Sequence, residues 1–332
     1  MKQPLISFII PVHNGERTVA RCLESIFLQD VELEAIVVDD GSNDGTSAVL
    51  EGVRDSRLKV LKKRQGGAAS ARNMGIRSAL GRYIAFVDCD DWVEEGTYRK
   101  VAHVLASEET DLFLFDSSKV FPNGSREDLG NGYAAVFGYD KLQGSDIRHC
   151  AARLHKMPAA PWDKIIRKEF AVAHPFPEGR FVEDLDWSMR LFLDTQSLQY
   201  LPVGMYAYYQ SAASTSTQRG ADLISDYLWF FENWTRFEGD EASKAMVRRF
   251  LTTQLFVFLG IFGQAESQMR KQFMGRVKLL FSSVRVKAVP LRREERVAFA
   301  LADVLGVPAT SKLLAIALNA RTRSEQDRKS VN

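Results

Sequence analysis

Apolar runs without polar alternation recur through the first part of this chain, and each is followed by a segment with helical spacing. The runs are Leu5-Ile6-Ser7-Phe8-Ile9-Ile10, Ala35-Ile36-Val37-Val38, Leu58 to Leu61, Tyr83 to Val87 and Leu112 to Phe115. A run that is apolar on both sides has to be covered on both sides, which is the condition of a strand inside a parallel sheet flanked by helices. Val19, Leu23, Ile26 and Phe27, then Gly45 to Leu50, Ala68 to Leu80 before Gly81, and Thr97 to Ser107 supply the intervening helices. The alternation predicts an α/β fold, a Rossmann-like, mostly parallel sheet with right-handed crossovers. Phe121 to Tyr139 is rich in Gly, Asn and Asp and reads as irregular, helices are expected at Gly144 to Leu154 and Leu185 to Leu193, and Gln199 to Tyr209 reads as extended. Beyond Asp222 the spacing is helical, with breaks at Pro290 and Pro308.

In an open parallel sheet, ligands bind outside the carboxyl ends of the strands, so the residues that leave each strand decide the chemistry. Three exits, Pro11-Val12-His13-Asn14, Asp39-Asp40-Gly41-Ser42 and Asp88-Cys89-Asp90-Asp91, bring carboxylates or amides to that edge. Capping a helix explains one acidic residue, but two or three after a wholly apolar strand exceed what a cap needs. Crowded carboxylates repel unless neutralised, and Asp-x-Asp offers the hard oxygens that Mg²⁺ or Mn²⁺ prefers. Such an ion takes its remaining ligands from water and substrate phosphates, so a diphosphate is the expected partner. The Gly-x-Gly-x-x-Gly of dinucleotide-binding folds is missing after the first strand, where Pro-Val-His-Asn-Gly-Glu stands instead, and there is no Walker sequence.

Four ordered blocks then carry a resemblance. They are Phe8 to Glu16, Glu34 to Ser42 with Asp44-Gly45-Thr46, Gly66-Gly67-Ala68-Ala69-Ser70-Ala71-Arg72-Asn73-Met74-Gly75, and Gly81 to Asp91. Together they resemble the family 2 glycosyltransferases, inverting enzymes of the GT-A fold, over about residues 5 to 215. The resemblance implies that Pro11, Val12 and Glu16 line a nucleotide pocket and that Asp40 hydrogen-bonds the base. It also implies that Arg72 lies beside the nucleotide or its phosphates, that Asp88 faces ribose and metal with Cys89 beside it, and that Asp90 is the direct ligand of Mn²⁺ or Mg²⁺. His13 stands where the family most often has an aromatic, and Cys89 where Ser or Ala is commoner. Phe181-Val182-Glu183-Asp184-Leu185-Asp186-Trp187 is similar to the family's Glu-Asp pair before a helix, which makes Asp184 the expected base. Glu183 and Asp186 beside it would raise its pKa by like-charge repulsion. Pro161-Trp162-Asp163-Lys164 also resembles a family segment, but a buried Trp beside an ion pair explains it as well, and no catalytic role is expected of it.

Composition limits the setting. Net charge is +2, but Glu241 to Asn332 holds 17 Lys/Arg against 7 Asp/Glu, so a basic tail at +10 follows an acidic body at −8. The near-neutral total gives no reason to expect nucleic acid as a partner. Cys22, Cys89 and Cys150 are odd in number and lack Cys-x-x-Cys spacing, which suits a reducing compartment. No leader-like apolar segment follows Met1-Lys2-Gln3, and the strongly apolar stretch Leu255 to Phe262 is far short of the roughly 18 residues a bilayer span needs. A cytoplasmic protein is expected, with peripheral membrane contact through residues 241–332 as one reading of the basic, aromatic tail and an ordinary helical subdomain as the other. The expected organisation is a catalytic domain over 1–220, its donor half about 1–116 and acceptor half about 117–220, followed by a basic helical region over 221–332. The expected function is metal-dependent transfer of a hexosyl or N-acetylhexosaminyl group from a nucleotide-diphosphate sugar, a UDP-sugar, to a glycan or lipid-linked acceptor of the cell surface, such as lipopolysaccharide, capsule or exopolysaccharide. The alternative is a non-catalytic module that binds a nucleotide sugar or glycan. A third possibility, a sugar nucleotidyltransferase, would want a Gly-rich, basic first loop.

Overall fold

The structure is a computed structural model that describes residues 3–107, 109–130, 132–154, 156–210, 220–284 and 293–330, with side chains described as far as residue 317. The expected break at Pro290 lies outside the described residues. The chain divides into two compact units, Met1–Ile147 with Pro158–Ser211, and Arg148–Met157 with Ala212–Asn332.

The first unit opens with β1 (Ile6–Val12), α1 (Val19–Phe27), β2 (Leu33–Asp40), α2 (Thr46–Gly52), β3 (Leu58–Lys63), α3 (Ala68–Ser78) and β4 (Tyr83–Phe86). It continues through β5 (Trp92–Val93), α4 (Thr97–Ser107), β6 (Leu112–Val120), β7 (Arg126–Asp128), α5 (Tyr133–Phe137), β8 (Leu142–Gln143) and α6 (Ser145–Ala151). β9 (Lys164–Arg167), α7 (Lys168–Ala173), α8 (Glu183–Asp194) and β10 (Ser197–Tyr209) complete it. Among the described residues the sheet runs β3-β2-β1-β4-β9-β6-β10-β5, with β7 on β6 and β8 on β10. β3, β2, β1 and β4 are mutually parallel, as are β6 and β10. β9 is antiparallel to both β4 and β6. Four residues are too few to show a period, so β9 is invisible in the sequence. The consequence is large: its first residue sits where β4 finishes.

β1 is buried on both faces, as its unbroken apolar run requires. Ile6, Phe8, Ile10 and Val12 share a core with Val19, Cys22, Leu23 and Ile26 of α1 and with Tyr98, Val101 and Leu105 of α4. Phe8 meets Tyr98 edge to face, with centroids 4.8 Å apart. On the other face α3 lies so near β1 that a Cβ on Gly75 would be 2.4 Å from Ile9 Cγ2. That approach holds the N-terminal half of α3, which carries Arg72 and Asn73, against the sheet.

In the second unit, α9 (Ala221–Trp234), α10 (Glu241–Gln264), α11 (Ser267–Val284) and α12 (Arg293–Ser330) follow one another. Asp240 caps α10 by accepting the Ser243 N–H at 2.8 Å. Arg249 of α10 is fully buried; it donates to Leu154 O at 2.7 Å and pairs with the equally buried Glu295 at 3.1 Å. α12 is broken at Gly306, whose φ of +77° needs a glycine, two residues before the Pro308 at which the sequence predicts the break. The proline sits in the first turn after the kink, where a missing N–H costs least. Leu255 to Phe262 proves to be part of a longer apolar helix. Glu241–Gln264 and Arg293–Ala317 are both long and apolar enough to cross a membrane by length and composition, but 72% of the first is buried, as in a core helix, against 33% of the second.

The Gly75 approach gives a direct check on the packing. Gly75→Ala is expected to destabilise the chain by ~1–3 kcal/mol, the usual range for overpacking, read as a lower urea midpoint at unchanged m. In an Ile9→Ala background the further cost of Gly75→Ala should shrink; strictly additive effects would refute the clash.

Candidate active site

Pairing sets the strand ends level. Val12 lies beside Asp39 and Asp40 beside Lys63, while Ile9 pairs with Phe86, so β1, β2 and β4 all end on one edge. The loops after β1 and β2 are sewn together there. Asn14, at φ +58°, donates its N–H to Ser42 Oγ and accepts from Asn43 N–H, each at 2.9 Å. Gly15 N–H donates to Thr46 Oγ1 at 2.8 Å, and Glu16 accepts the Gly45 N–H at 3.1 Å. Asp39 accepts the Ser42 N–H at 2.9 Å, closing the turn into α2. His13 lies against Asp40 O through Nδ1 at 3.0 Å and approaches Gln65 through Nε2 at 3.3 Å. Pro11 is half-buried, whereas Val12 is buried with Cγ2 beneath Gly15, and Cys89 Sγ lies beside the same glycine. Burial, with Asp90 and Asp88 adding to it, pushes the Cys89 thiol up to about 12, so it stays protonated.

Asp40 is buried and already engaged. Its carboxylate accepts the N–H groups of Gly66 at 2.9 Å and Gly67 at 2.7 Å and pairs with Lys63 Nζ at 2.5 Å. It thereby fixes the loop that starts α3. Lys63 escapes a reading of sequence alone because its partner follows from register: it is the last residue of β3, opposite the last residue of β2.

Arg72 joins the rest. From α3 it reaches Asp88 Oδ1 at 3.0 Å and Glu183 Oε1 at 3.2 Å, with its guanidinium over Phe176. Its Nε is buried and has no hydrogen-bond partner among the described residues. The next residue, Asn73, exchanges hydrogen bonds with Phe176 N–H and O at 2.8 and 2.9 Å and donates to Glu178 at 2.9 Å, so α3 also orients the segment leading to α8. Asp88 keeps 31% of its side chain exposed. Burial and the neighbouring Asp88 charge raise the Asp90 pKa, while Arg21 holds the Asp90 carbonyl at 2.6 Å.

Asp91, which sequence reasoning passes over, is fully buried. It accepts the Tyr206 hydroxyl at 2.6 Å and the Tyr209 N–H at 2.7 Å, and Tyr206 Oη in turn accepts the Asp88 N–H at 3.1 Å. Burial, then Asp88, pushes its pKa up to about 8. The acidic loop is therefore bolted to β10, with Asp88 and Asp90 left at the edge.

Glu183 and Asp184 start α8 in the same place. Burial and Asp184 push Glu183 up to about 7 against the pull of Arg72. Burial raises Asp184, opposed by Arg72, the Leu185 N–H at 2.9 Å and Lys164. Asp186 is held by Arg190 at 2.8 Å, one turn on. Asp163 and Lys164 form the buried ion pair expected of them, at 2.6 Å, with Tyr133 Oη donating to Asp163 at 3.1 Å. The structure thus brings Asp88, Asp90, Arg72 and Asp184 to one edge and sets Asp40, Glu16, Val12 and Cys89 in the supporting loops.

The family model described as glycosyl transferase family 2 matches residues 7–155. The chain is 30% identical over 247 residues to EpsH of Bacillus subtilis (strain 168), a protein named as a glycosyltransferase, across 71% of this chain and 70% of that one. It is 28% identical over 163 residues to GgaB of the same organism, named as a minor teichoic acid biosynthesis protein, across 46% of this chain and 18% of that one. The structure of S. aureus TarS 1-349 in complex with UDP-GlcNAc is similar in fold, with a TM-score of 0.70 at 20% identity over 95% of this chain and 91% of that one. The sheet with its flanking helices is that of the GT-A fold. On its sequence blocks, its sheet and this likeness, the chain belongs to glycosyl transferase family 2.

Proposed function

We propose that this glycosyltransferase moves one hexosyl or N-acetylhexosaminyl unit from a nucleotide-diphosphate sugar, a UDP-sugar, to a hydroxyl of a cell-surface glycan, free or lipid-linked, with inversion at the sugar. The observation that carries the reading is the Arg72 bridge, which sets the Asp88 loop and the Glu183-Asp184 turn on two sides of one guanidinium. A UDP-sugar fits the similarity to a protein solved with UDP-GlcNAc, and a surface polymer fits the similarity to GgaB. Lipopolysaccharide, capsule and exopolysaccharide belong to that acceptor class.

In this reading Pro11, with Val12 and Cys89 behind the Gly15 turn and Glu16 clamping it, shapes the nucleotide pocket, and Asp40 shapes the base's side of it through the loop it fixes. The donor set suits a divalent cation. Asp88 is partly exposed and has only one of its oxygens on Arg72, and Asp90 is pushed upward in pKa by burial, with the charge of Asp88 adding to it. No cluster of three His, Cys, Asp or Glu able to hold a metal occurs among the described residues, which fits an ion that takes one or two carboxylates and completes its shell with phosphate and water. Mn²⁺ or Mg²⁺ held by Asp90 and Asp88 would offset the charge that develops on the leaving diphosphate. Arg72, always charged and planar, is suited to the same oxygens. Asp184 takes the proton of the acceptor hydroxyl as that oxygen attacks the anomeric carbon from the face opposite the diphosphate. Burial raises its pKa, the direction that makes a carboxylate a stronger base.

Removing the base separates an enzyme from a binding module. Asp184→Asn should lower turnover by about 10²–10⁴-fold while leaving the Kd for the UDP-sugar within about twofold; unchanged turnover would refute the assignment. The proton argument has a sign. The base acts only when ionised, so activity should fall as pH drops through a pKa above the ordinary carboxylate range, and a profile flat down to about pH 4 would count against Asp184.

The second unit suits peripheral contact with the cytoplasmic face of a membrane. Val304 is 81% exposed and Ile316 65%, and Lys312 lies one helical turn from Ile316 on α12. Binding to phosphatidylglycerol vesicles, lost on Val304→Ser/Ile316→Ser and weakened by salt, is expected; equal binding by that variant would reject the contact.

A further inference from the structure

Pro161-Trp162-Asp163-Lys164 has no part in the reaction so far. β9 runs antiparallel, with Lys164 opposite Leu114 and Ile165 between Ala85 and Phe113, so the turn that precedes it emerges where β4 delivers Asp88. Trp162 lies in that turn. Its ring is nearly parallel to Tyr206, at 5° with centroids 4.7 Å apart, and also covers Tyr208 at 5.5 Å and 25°. Tyr206 is the residue that bonds Asp91 and the Asp88 N–H. Two positions along the chain, no more than about 7 Å of backbone, stands Lys164, whose charge acts on Asp184. The indole is thus linked to the acidic loop through Tyr206 and, along the chain, to the base through Lys164.

A second tryptophan shows what a purely structural one looks like here. Trp187 is fully buried, stacks on Phe176 at 4.1 Å and donates its indole N–H to His174 O at 2.8 Å. Trp162 also stacks, but differs in burial and in its indole N–H. It is only partly buried, and among the described residues none accepts its indole N–H. A flat apolar face backed by two tyrosines, with a free donor at its rim and charged groups on either side, has the properties of a site for a sugar ring, whose C–H face packs on the ring while a hydroxyl takes the N–H.

We propose that Trp162, backed by Tyr206 and Tyr208, is the stacking platform for a pyranose ring of the acceptor and a determinant of acceptor choice. This rests on the transfer reaction proposed above. The acceptor's ring is favoured over the donor's because the attacking hydroxyl must lie within reach of Asp184, on whose side Trp162 is tethered through Asp163 and Lys164, whereas the donor is held through its diphosphate.

The test follows the ¹⁵N–¹H indole signal of Trp162 in the full chain, identified by its loss in Trp162→Phe. UDP with Mg²⁺ is added first, then methyl pyranosides of the gluco, galacto and N-acetylglucosamine series, and separately UDP-GlcNAc. The Trp162 signal is expected to move with at least one methyl pyranoside. For an acceptor that supports transfer, Trp162→Ala should raise KM about tenfold, equivalent to ~1.4 kcal/mol of binding, with Trp162→Phe between the two. Hydrolysis of the sugar nucleotide in the absence of acceptor should stay within about twofold of wild type, a readout that mere loss of folding would not spare. A signal that moves with UDP-GlcNAc and with no pyranoside would assign the ring to the donor and overturn the proposal. A signal that moves with neither, while UDP shifts others, would overturn it too. If UDP shifts nothing, the donor reading fails, and the pyranoside arm still decides for or against the platform.

Discussion

One cation governs this sheet edge. Arg72 is paired with Asp88, 16 residues further on, and with Glu183, 111 residues further on, so its charge ties the loop after β4 to the start of α8. Losing one partner from a buried ion pair costs about 3–5 kcal/mol, and somewhat less here because Asp88 is partly in water. The position of Arg72 depends in turn on the packing of α3. Gly75 lets the helix lie on Ile9, and Asp40 fixes the glycines that begin it. Asn73, adjacent to Arg72, holds the segment that leads to Glu183. A close approach of backbone to sheet is thereby converted into a fixed distance between two sets of carboxylates.

The same edge explains which parts of the molecule can be read from its sequence. Runs such as Phe8-Ile9-Ile10 and Ile36-Val37-Val38 declare buried parallel strands because no other placement in water hides both faces, and the carboxylates that follow them then share an edge by topology alone. What escapes is whatever depends on register or on a short element. Lys63 meets Asp40 only because β2 and β3 end in register. β9 has four residues and an antiparallel sense, yet it decides where Trp162 comes out. Asp91 looks like one more acid in an acidic loop, and only the fold shows it turned inward onto Tyr206 and Tyr209.

Division of labour among the acids follows from burial. Asp91 is the most deeply placed and is pushed up to about 8, so near neutrality it is largely a neutral hydrogen-bonding group that anchors the loop. Asp39 is spent on closing a turn, and Asp40 on a loop and Lys63. Asp88, Asp90 and Asp184 remain, the three to which resemblance assigns metal and base roles, and they are also the three not wholly consumed by structural hydrogen bonds.

Charge at the edge is left unbalanced in a way that favours a particular kind of ligand. Lys164 is committed to Asp163 at 2.6 Å, and Arg21 spends its guanidinium on the Asp90 carbonyl and on the faces of Trp92 and Tyr209. Arg72 is then the cation shared among Asp88, Glu183 and, at longer range, Asp184. Burial raises the pKa of Asp90, Glu183 and Asp184, with Asp88 adding to the first and Asp184 to the second, and one guanidinium leaves the negative charge there only partly compensated. Protonating the carboxylates would relieve it at the expense of the base. A divalent cation held by Asp88 and Asp90, as proposed above, would instead neutralise those two carboxylates and leave the base ionised.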